Sequence, residues 1–243
     1  MKNISRPFTI GKWGMNEINL KFPSTPHFSI SMIGDVRNDK LLEGSVQKEI
    51  FKNELIIEEK IDGANLGISF NSEADIILQN RGSILRPPYL GQWKPLEKWL
   101  SLKKDMLFDT LGDRYILFGE WCYAMHSIHY TSLPDYFLAF DVYDKQLNKF
   151  ISFDQRNELI RAIDVFSVPF IEKGFYSLGD LPNFIKKSLY SNSIAEGIYI
   201  RGSNPNKTFF RAKIVRNDFT QNITQHWSSK NITKNILRLH NDS

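Results

Sequence analysis

The chain has 243 residues, 42% of them hydrophobic and 24% charged, with a formal net charge of +4. That length suits one large domain, or one domain with a short appendage, and the composition is that of a soluble globular protein with ample material for a core. The single cysteine, Cys122, excludes an intrachain disulfide and a zinc site built from several cysteines. No run of about 18 apolar residues offers a membrane span, and Met1-Lys2-Asn3-Ile4-Ser5-Arg6 lacks the apolar stretch of a secretory signal. The expectation is an intracellular, cytoplasmic protein with no membrane partner. The modest positive charge is compatible with a nucleic-acid partner and equally with a basic fold that has none.

Residues 1–54 mix short apolar stretches with Pro23, Pro26 and Gly34, and read as irregular structure with a few strands. From Leu55 the strand signals become dense. Strands are expected at Leu55–Lys60, Leu66–Phe70, Ile76–Gln79, Tyr115–Trp121, Phe137–Tyr143, Lys149–Ser152, Gly197–Arg201 and Thr208–Val215. Helices are expected at Leu96–Lys103, Asp154–Ile163, Gly179–Tyr190 and Asp218–Ser229, with Asp154 and Asp218 as candidate N-caps. Strands dominate and helices interrupt them irregularly, which argues against a doubly wound parallel sheet and for an α+β fold of largely antiparallel β-sheets flanked by helices. Neither Gly-x-x-x-x-Gly-Lys-Ser/Thr nor Gly-x-Gly-x-x-Gly occurs, so a nucleotide would have to be held by other means.

The most informative stretch is Glu58-Glu59-Lys60-Ile61-Asp62-Gly63-Ala64-Asn65. Leu55-Ile56-Ile57 should carry Lys60 into the body of the fold, where desolvation lowers a lysine's pKa and makes it an amine nucleophile. Asp62-Gly63 supplies a turn and a nearby carboxylate. Further along, Glu120 and Asp141 sit on apolar strands and Glu196 precedes another. Arg211 and Lys213 are two apart on an expected strand and so face the same way. Two cations side by side on a half-buried strand call for an anion between them, and phosphate is the natural candidate. A lysine, paired cations, carboxylates and an aromatic together are what nucleotidyl transfer needs.

These residues resemble the covalent nucleotidyltransferase superfamily of DNA ligases, RNA ligases and mRNA capping enzymes. The Lys-x-Asp-Gly core is Lys60-Ile61-Asp62-Gly63, and the other family motifs follow in order as Phe118-Gly119-Glu120, Phe140-Asp141, Glu196-Gly197-Ile198-Tyr199-Ile200-Arg201 and Arg211-Ala212-Lys213. Asn65 stands where DNA ligases and capping enzymes usually have arginine, and Asn80-Arg81-Gly82-Ser83-Ile84-Leu85 is similar to a phosphate-engaging segment of RNA ligases. The chain therefore looks most like the ATP-dependent RNA ligase 2 type. The resemblance implies a single adenylyltransferase domain over 1–243: an N-terminal segment 1–54, a motif-bearing core 55–216 and a helical tail 217–243, with no separate C-terminal OB-type domain.

The resemblance also implies roles. Lys60 would be the nucleophile that becomes lysyl-AMP, and Glu59 would help read the adenine, mainly through its backbone. Asn65 and Arg81 would act on phosphates in later steps. Glu120 would bind the ribose, Phe140 would stack on the adenine, and Glu196 would bind the metal. Arg211 and Lys213 would contact the α-phosphate, although arginine at 211 replaces the usual lysine and is not a neutral swap. The implied cofactors are ATP and Mg²⁺ or Mn²⁺. The implied partner is RNA with 5′-phosphate and 3′-hydroxyl ends, and an RNA-binding or end-processing protein could supply what a short tail does not.

Other readings stay open from the sequence: a DNA ligase, a capping-type guanylyltransferase, or a catalytically silent nucleic-acid-binding module of the same fold. Glu120 and Glu196 taken singly read as solvated strand-end carboxylates, and Phe140 as core. His126 and His129 have the spacing of a metal pair on a helix, but with no third ligand nearby a structural hydrogen bond or an RNA contact is the better reading. The aromatic segment Trp121 to Tyr136 could stack on RNA bases or simply pack in the core. Lys186, Lys187, Lys230, Lys234 and Arg238 could contact phosphates or be solvated. Cys122 reads as a small buried apolar residue.

Overall fold

A computed structural model of the chain describes residues 20–28, 44–216, 219 and 232–239. Four strands build one sheet: β1 (Leu55–Lys60), β9 (Phe170–Gly174), β10 (Gly197–Asn204) and β11 (Lys207–Val215), in the order β11-β10-β1-β9. The second sheet contains β2 (Ala64–Phe70), β3 (Ile76–Gln79), β4 (Ile84–Leu85), β5 (Tyr115–Trp121), β6 (Phe137–Asp144) and β7 (Lys149–Phe150), in the order β4-β3-β2-β5-β6-β7. The short β8 (Phe166–Ser167) adds to β6 in parallel, and the other strand pairs are antiparallel. The helices are α1 (Gly44–Ile50), α2 (Leu96–Leu111) and α3 (Phe153–Ile163). The architecture is the expected α+β one of largely antiparallel sheets. Among the described residues no helix is long and apolar enough to cross a membrane.

Three apolar layers follow from strand alternation. On β1, Leu55 and Ile57 point outward and meet Ile50, Ile198, Ile200, Leu181 and Ile214. The opposite face of the same sheet looks across to the second sheet, where Phe118, Leu138 and Phe140 pack with Ile61, Phe22 and Val215. The far face of the second sheet is covered by α2 and α3 through Leu66, Ile68, Phe137, Ala139 and Val142. Helix α2 buries Leu96, Trp99, Leu100, Leu107 and Leu111, one stripe at helical spacing. That stripe carries the helix past the expected end at Lys103.

Several elements differ from the sequence reading for identifiable reasons. The N-cap of α3 is Ser152, not Asp154: the Ser152 hydroxyl accepts from the Gln155 N–H, and the Gln155 side chain accepts from the Ser152 N–H. The stretch Gly179–Tyr190 is not an α-helix. It holds a 3₁₀ turn at Leu181–Phe184 and then a tight two-legged loop in which Ser188 N–H donates to Ser193 O. The hydroxyls of Ser188 and Ser191 accept from the Tyr190 and Ser193 N–H groups, local bonds that compete with helix. Strand β9 has no clean alternation and is mostly exposed. The expected helix Asp218–Ser229 lies outside the described residues apart from Phe219. The described part of the expected helical tail, 232–239, is extended, because its backbone groups bond to the loop between β5 and β6.

A bulge in β6 organises the space between the sheets. Phe118 pairs with Asp141 but Gly119 pairs with Ala139, so Phe140 is the extra residue. Phe137, Ala139 and Val142 consequently face the helices, while Leu138, Phe140 and Asp141 all face the other sheet. There Asp141 joins a buried ion network. Arg156 donates to both oxygens of Glu58, Arg201 donates to Glu58 and to Asp141, and both guanidiniums donate to the Phe140 carbonyl. Glu58, Arg156, Arg201 and Asp141 are all buried.

Two outcomes follow. Glu58→Ala leaves two buried guanidiniums short of an anion, and urea denaturation should show a loss of about 3–5 kcal/mol. Burial alone would raise the Asp141 pKa, but Arg201 and Arg211 outweigh it and hold it below the usual value. Its contribution to stability is therefore present above about pH 4 and is lost as pH falls through the lowered pKa. Denaturation measured from pH 5 down to pH 2 should show a shallower acid-induced loss in Asp141→Asn than in the parent.

Candidate active site

The pocket opens between the two sheets, where β1 ends and the chain crosses to β2. Lys60 is the last residue of β1 and pairs with Gly197, the first of β10, so the residue before it, Glu196, lies beside the amine. Lys60 Nζ donates to Glu196 Oε2 at 2.6 Å. A Cβ on Gly197 would fall 1.9 Å from the Ile214 carbonyl oxygen, so only glycine lets β10 lie against β11 at this point. Asp62 fixes the crossing: its Oδ2 accepts from the N–H groups of Ser127 and Ile128 at 2.7 and 3.0 Å, and its own N–H donates to the Tyr130 hydroxyl at 2.8 Å. Gly63 passes so close to the second sheet that a Cβ would sit 3.0 Å from Cys122 Sγ.

On the second sheet Asn65 of β2 pairs with Glu120 of β5, which sets both side chains at the pocket. Arg81 reaches it from the tip of a turn held by Asn80, whose Oδ1 accepts from the Gly82 and Ser83 N–H groups. The bulge delivers Phe140, and Lys213 arrives from β11 opposite Tyr199. Glu59 enters from beside Lys60, with its Oε2 accepting from Leu189 N–H at 3.0 Å. The space so lined amounts to about 480 Å³, open solvent at its mouth included. The structure thus brings together Glu59, Lys60, Asn65, Arg81, Glu120, Phe140 and Lys213, with Glu196 bonded to Lys60.

Arg211 is the exception. It shares a face of β11 with Lys213, yet its guanidinium donates to Asp141 Oδ2 at 3.0 Å and lies 3.5 Å from the Phe150 ring centroid, away from the pocket lining. In the structure the anion beside Arg211 is Asp141.

The electrostatics around Lys60 also depart from expectation. Burial favours the neutral amine, but Glu196, Glu120 and Asp62 outweigh it, and the Lys60 pKa is raised rather than lowered. The amine sits among carboxylates, not among cations. Glu120 feels the opposite pressure: burial pushes its carboxyl up to about 8, against the pull of Lys60 and Arg81. Burial likewise raises Glu59, against hydrogen bonds from Ser188 and Leu189.

Among the described residues, four buried side-chain atoms have no hydrogen-bond partner: Glu59 Oε1, both amide atoms of Asn65, and Glu120 Oε2. All belong to residues that line this pocket. Groups this buried are normally satisfied, so their convergence marks a place built for a polar ligand. Among the described residues no group of three or more His, Cys, Asp or Glu side chains is arranged to hold a metal on its own. Glu120 and Glu196 could provide one or two carboxylates of the kind that bind Mg²⁺ together with water and phosphate oxygens.

Other flagged residues have structural roles. The loop that carries His126 and His129 is not helical; His126 meets Gln92 Oε1 at 2.9 Å and His129 meets the Lys234 carbonyl at 3.2 Å. Within the aromatic segment Trp121 and Tyr130 are fully buried, and Cys122 is buried too. Lys234 and Arg238 lie over the rings of Tyr123 and Phe166, while Lys230 lies outside the described residues. The 232–239 stretch clasps this loop: Asn235 donates to the Cys122 and Ala124 carbonyls and accepts from Tyr130 N–H. Three pocket residues lie outside the motifs and the other flagged residues: Val168 follows β8, and Phe22 and Thr25 come from a segment that precedes the motifs. Tyr199 lies within the motif at 196–201 without an expected role of its own; it pairs with Glu58 and so faces the same way as Lys60.

No curated protein matches the chain. Solved structures do. A Naegleria gruberi RNA ligase with PPi aligns with a TM-score of 0.57 and 16% identity over 87% of this chain and 64% of that one. A mutant of that ligase with AMP and Mn gives 0.57 and 16% over 73% of this chain and 54% of the other, and a mutant with ATP and Mn gives 0.57 and 17% over the same shares. This chain thus spans about half the length of most of these relatives, and at such identity the likeness speaks for the fold alone. A sequence model of the RNA ligase family matches residues 53–215, from just before β1 to the end of β11, and with two thirds of its length inside that match the chain belongs to the RNA ligase family.

Proposed function

We propose that the chain is an ATP-dependent RNA ligase, a polynucleotide 5′-adenylyltransferase that works through a lysyl-AMP intermediate. The observation that carries this reading is the placement of Lys60 in a pocket where the unpartnered polar atoms of Glu59, Asn65 and Glu120 converge. Membership in the RNA ligase family and the ATP, AMP, PPi and Mn present in the Naegleria ligase structures support it.

In the proposed reaction the Lys60 amine attacks the α-phosphorus of ATP, a P–N bond forms, and pyrophosphate leaves. AMP then passes to an RNA 5′-phosphate, and a 3′-hydroxyl displaces AMP as the phosphodiester forms. Each step is an in-line displacement at phosphorus, in which positioning and charge stabilisation do most of the work. Lys213 would face the α-phosphate, and Arg81 and Asn65 would act on phosphates in the later steps. Glu120 would hold the ribose and Phe140 would stack on the base. Glu59 would lie at the base edge.

Glu196 would hold Mg²⁺ or Mn²⁺, which would supply charge neutralisation on phosphate oxygens. Arg211 would act at a distance, by holding Asp141 and the aromatic wall, and not on phosphate.

Incubation with α-labelled ATP and Mg²⁺ followed by peptide mass spectrometry should find AMP on the peptide containing Lys60. Lys60→Ala should give no adduct at all, and a covalent AMP label retained in that variant would refute the assignment. Lys213→Ala should slow adduct formation by about 100-fold or more with little change in melting temperature. Arg211→Ala should do the reverse, melting lower while forming the adduct at a rate closer to the parent's. Splinted nicks of RNA and of DNA, assayed side by side, test the strand preference.

A further inference from the structure

Residues 20–28 precede the family match at 53–215, and nothing in the motif set involves them. They nevertheless form part of the pocket. The segment runs along β11 and bonds to the backbone of Lys213 from both sides: Lys213 N–H donates to Pro26 O at 3.0 Å, and Phe28 N–H donates to Lys213 O at 3.2 Å. Its start is tied to the second sheet by Gln79, whose amide donates to Leu20 O at 2.8 Å. The strap thereby bridges the two sheets across the pocket.

Two of its side chains line the cavity, Phe22 at 4% exposure and Thr25 at 8%. Phe22 packs edge-on against Phe140, with ring centroids 5.3 Å apart at 78°. Thr25 shares a side-chain hydrogen bond with the Tyr199 hydroxyl, which itself donates to Asp141 at 3.2 Å. Phe140 and Tyr199 are neighbours, with centroids 6.3 Å apart. The strap therefore meets the aromatic end of the pocket through its side chains and the cationic end through its backbone.

We propose that residues 20–28 are a working part of the nucleotide site, with Phe22 and Thr25 as positioning residues that hold the Phe140–Tyr199 wall against the base of the nucleotide. The proposal rests on the functional reading above. It predicts a defect that depends on the base: a ligand with a purine feels the wall, and one made only of phosphates does not.

The test uses the full chain with Phe22→Leu and Thr25→Val, titrated calorimetrically with α,β-methylene-ATP and, separately, with inorganic pyrophosphate. Thr25→Val keeps the side chain's shape and loses only the hydroxyl, so it remains informative if Phe22→Leu fails to fold. Thr25→Val should bind the nucleotide analogue about 5-fold more weakly, the size of one lost hydrogen bond, Phe22→Leu should lose about as much through the missing ring contact with Phe140, and both should bind pyrophosphate within twofold of the parent. In the adenylylation assay KM for ATP should rise while kcat stays near the parent value. Equal weakening toward both ligands, or none toward either, overturns the proposal. A parent that adenylylates normally beside variants that match it sinks this inference and leaves the ligase reading standing. A parent that binds no nucleotide and forms no adduct sinks both.

Discussion

Between the two sheets lies a layer of charge that the rest of the molecule is arranged around. Glu58 and Asp141 accept from Arg156, Arg201 and Arg211, and the leftover guanidinium donors close on the Phe140 carbonyl. Charges this deep are costly to desolvate, so their value lies less in net stability than in geometry: they tolerate only the arrangement that satisfies all of them. In this chain that arrangement fixes how β6 sits opposite β1 and β10. Because the network grips the backbone of Phe140 itself, it also fixes where the aromatic wall of the pocket stands.

The pocket begins where this layer ends, and its charge balance is the reverse of the layer's. In the network, three guanidiniums share two carboxylates. Around Lys60, carboxylates are in excess, with Glu196 bonded to the amine and Glu120 and Asp62 close enough to hold it protonated. Three side chains also keep buried atoms that no described residue satisfies. Interiors seldom leave such groups unmatched. A site that is under-bonded when empty favours a polar ligand that brings hydrogen-bonding groups of its own.

What is legible in the sequence follows from how local the signal is. Leu55–Lys60, Ile76–Gln79 and Tyr115–Trp121 are readable because an apolar strand ends at a turn within a few residues, and the structure gives those bounds. The pocket residues of these strands are readable because the strand's direction settles where its end goes. Asp141 is different. Its partners come from α3, β10 and β11, far along the chain, and no pattern near it distinguishes a phosphate-facing Arg211 from one already paired. The bulge at Phe140 is equally silent, since the apolar run continues through it. The raised pKa of Lys60 depends chiefly on Glu196 and Glu120, which only the fold brings near. Phe22 and Thr25 are hidden for the same reason: a short segment broken by Pro23 and Pro26 carries no hint of which strand edge it will cover.

The clasp made by residues 232–239 has a consequence for the order in which the site is completed. The turn holding Lys60 leans on Asp62, Asp62 leans on the loop from Cys122 to Tyr136, and that loop is secured by Asn235. A ribosome delivers Asn235 well after every motif-bearing strand has emerged. The family's sequence signature is therefore synthesised in full before its nucleophile has all its supports. A nascent chain halted just beyond Val215 would carry every motif and still hold the Lys60 turn less firmly than the finished molecule does.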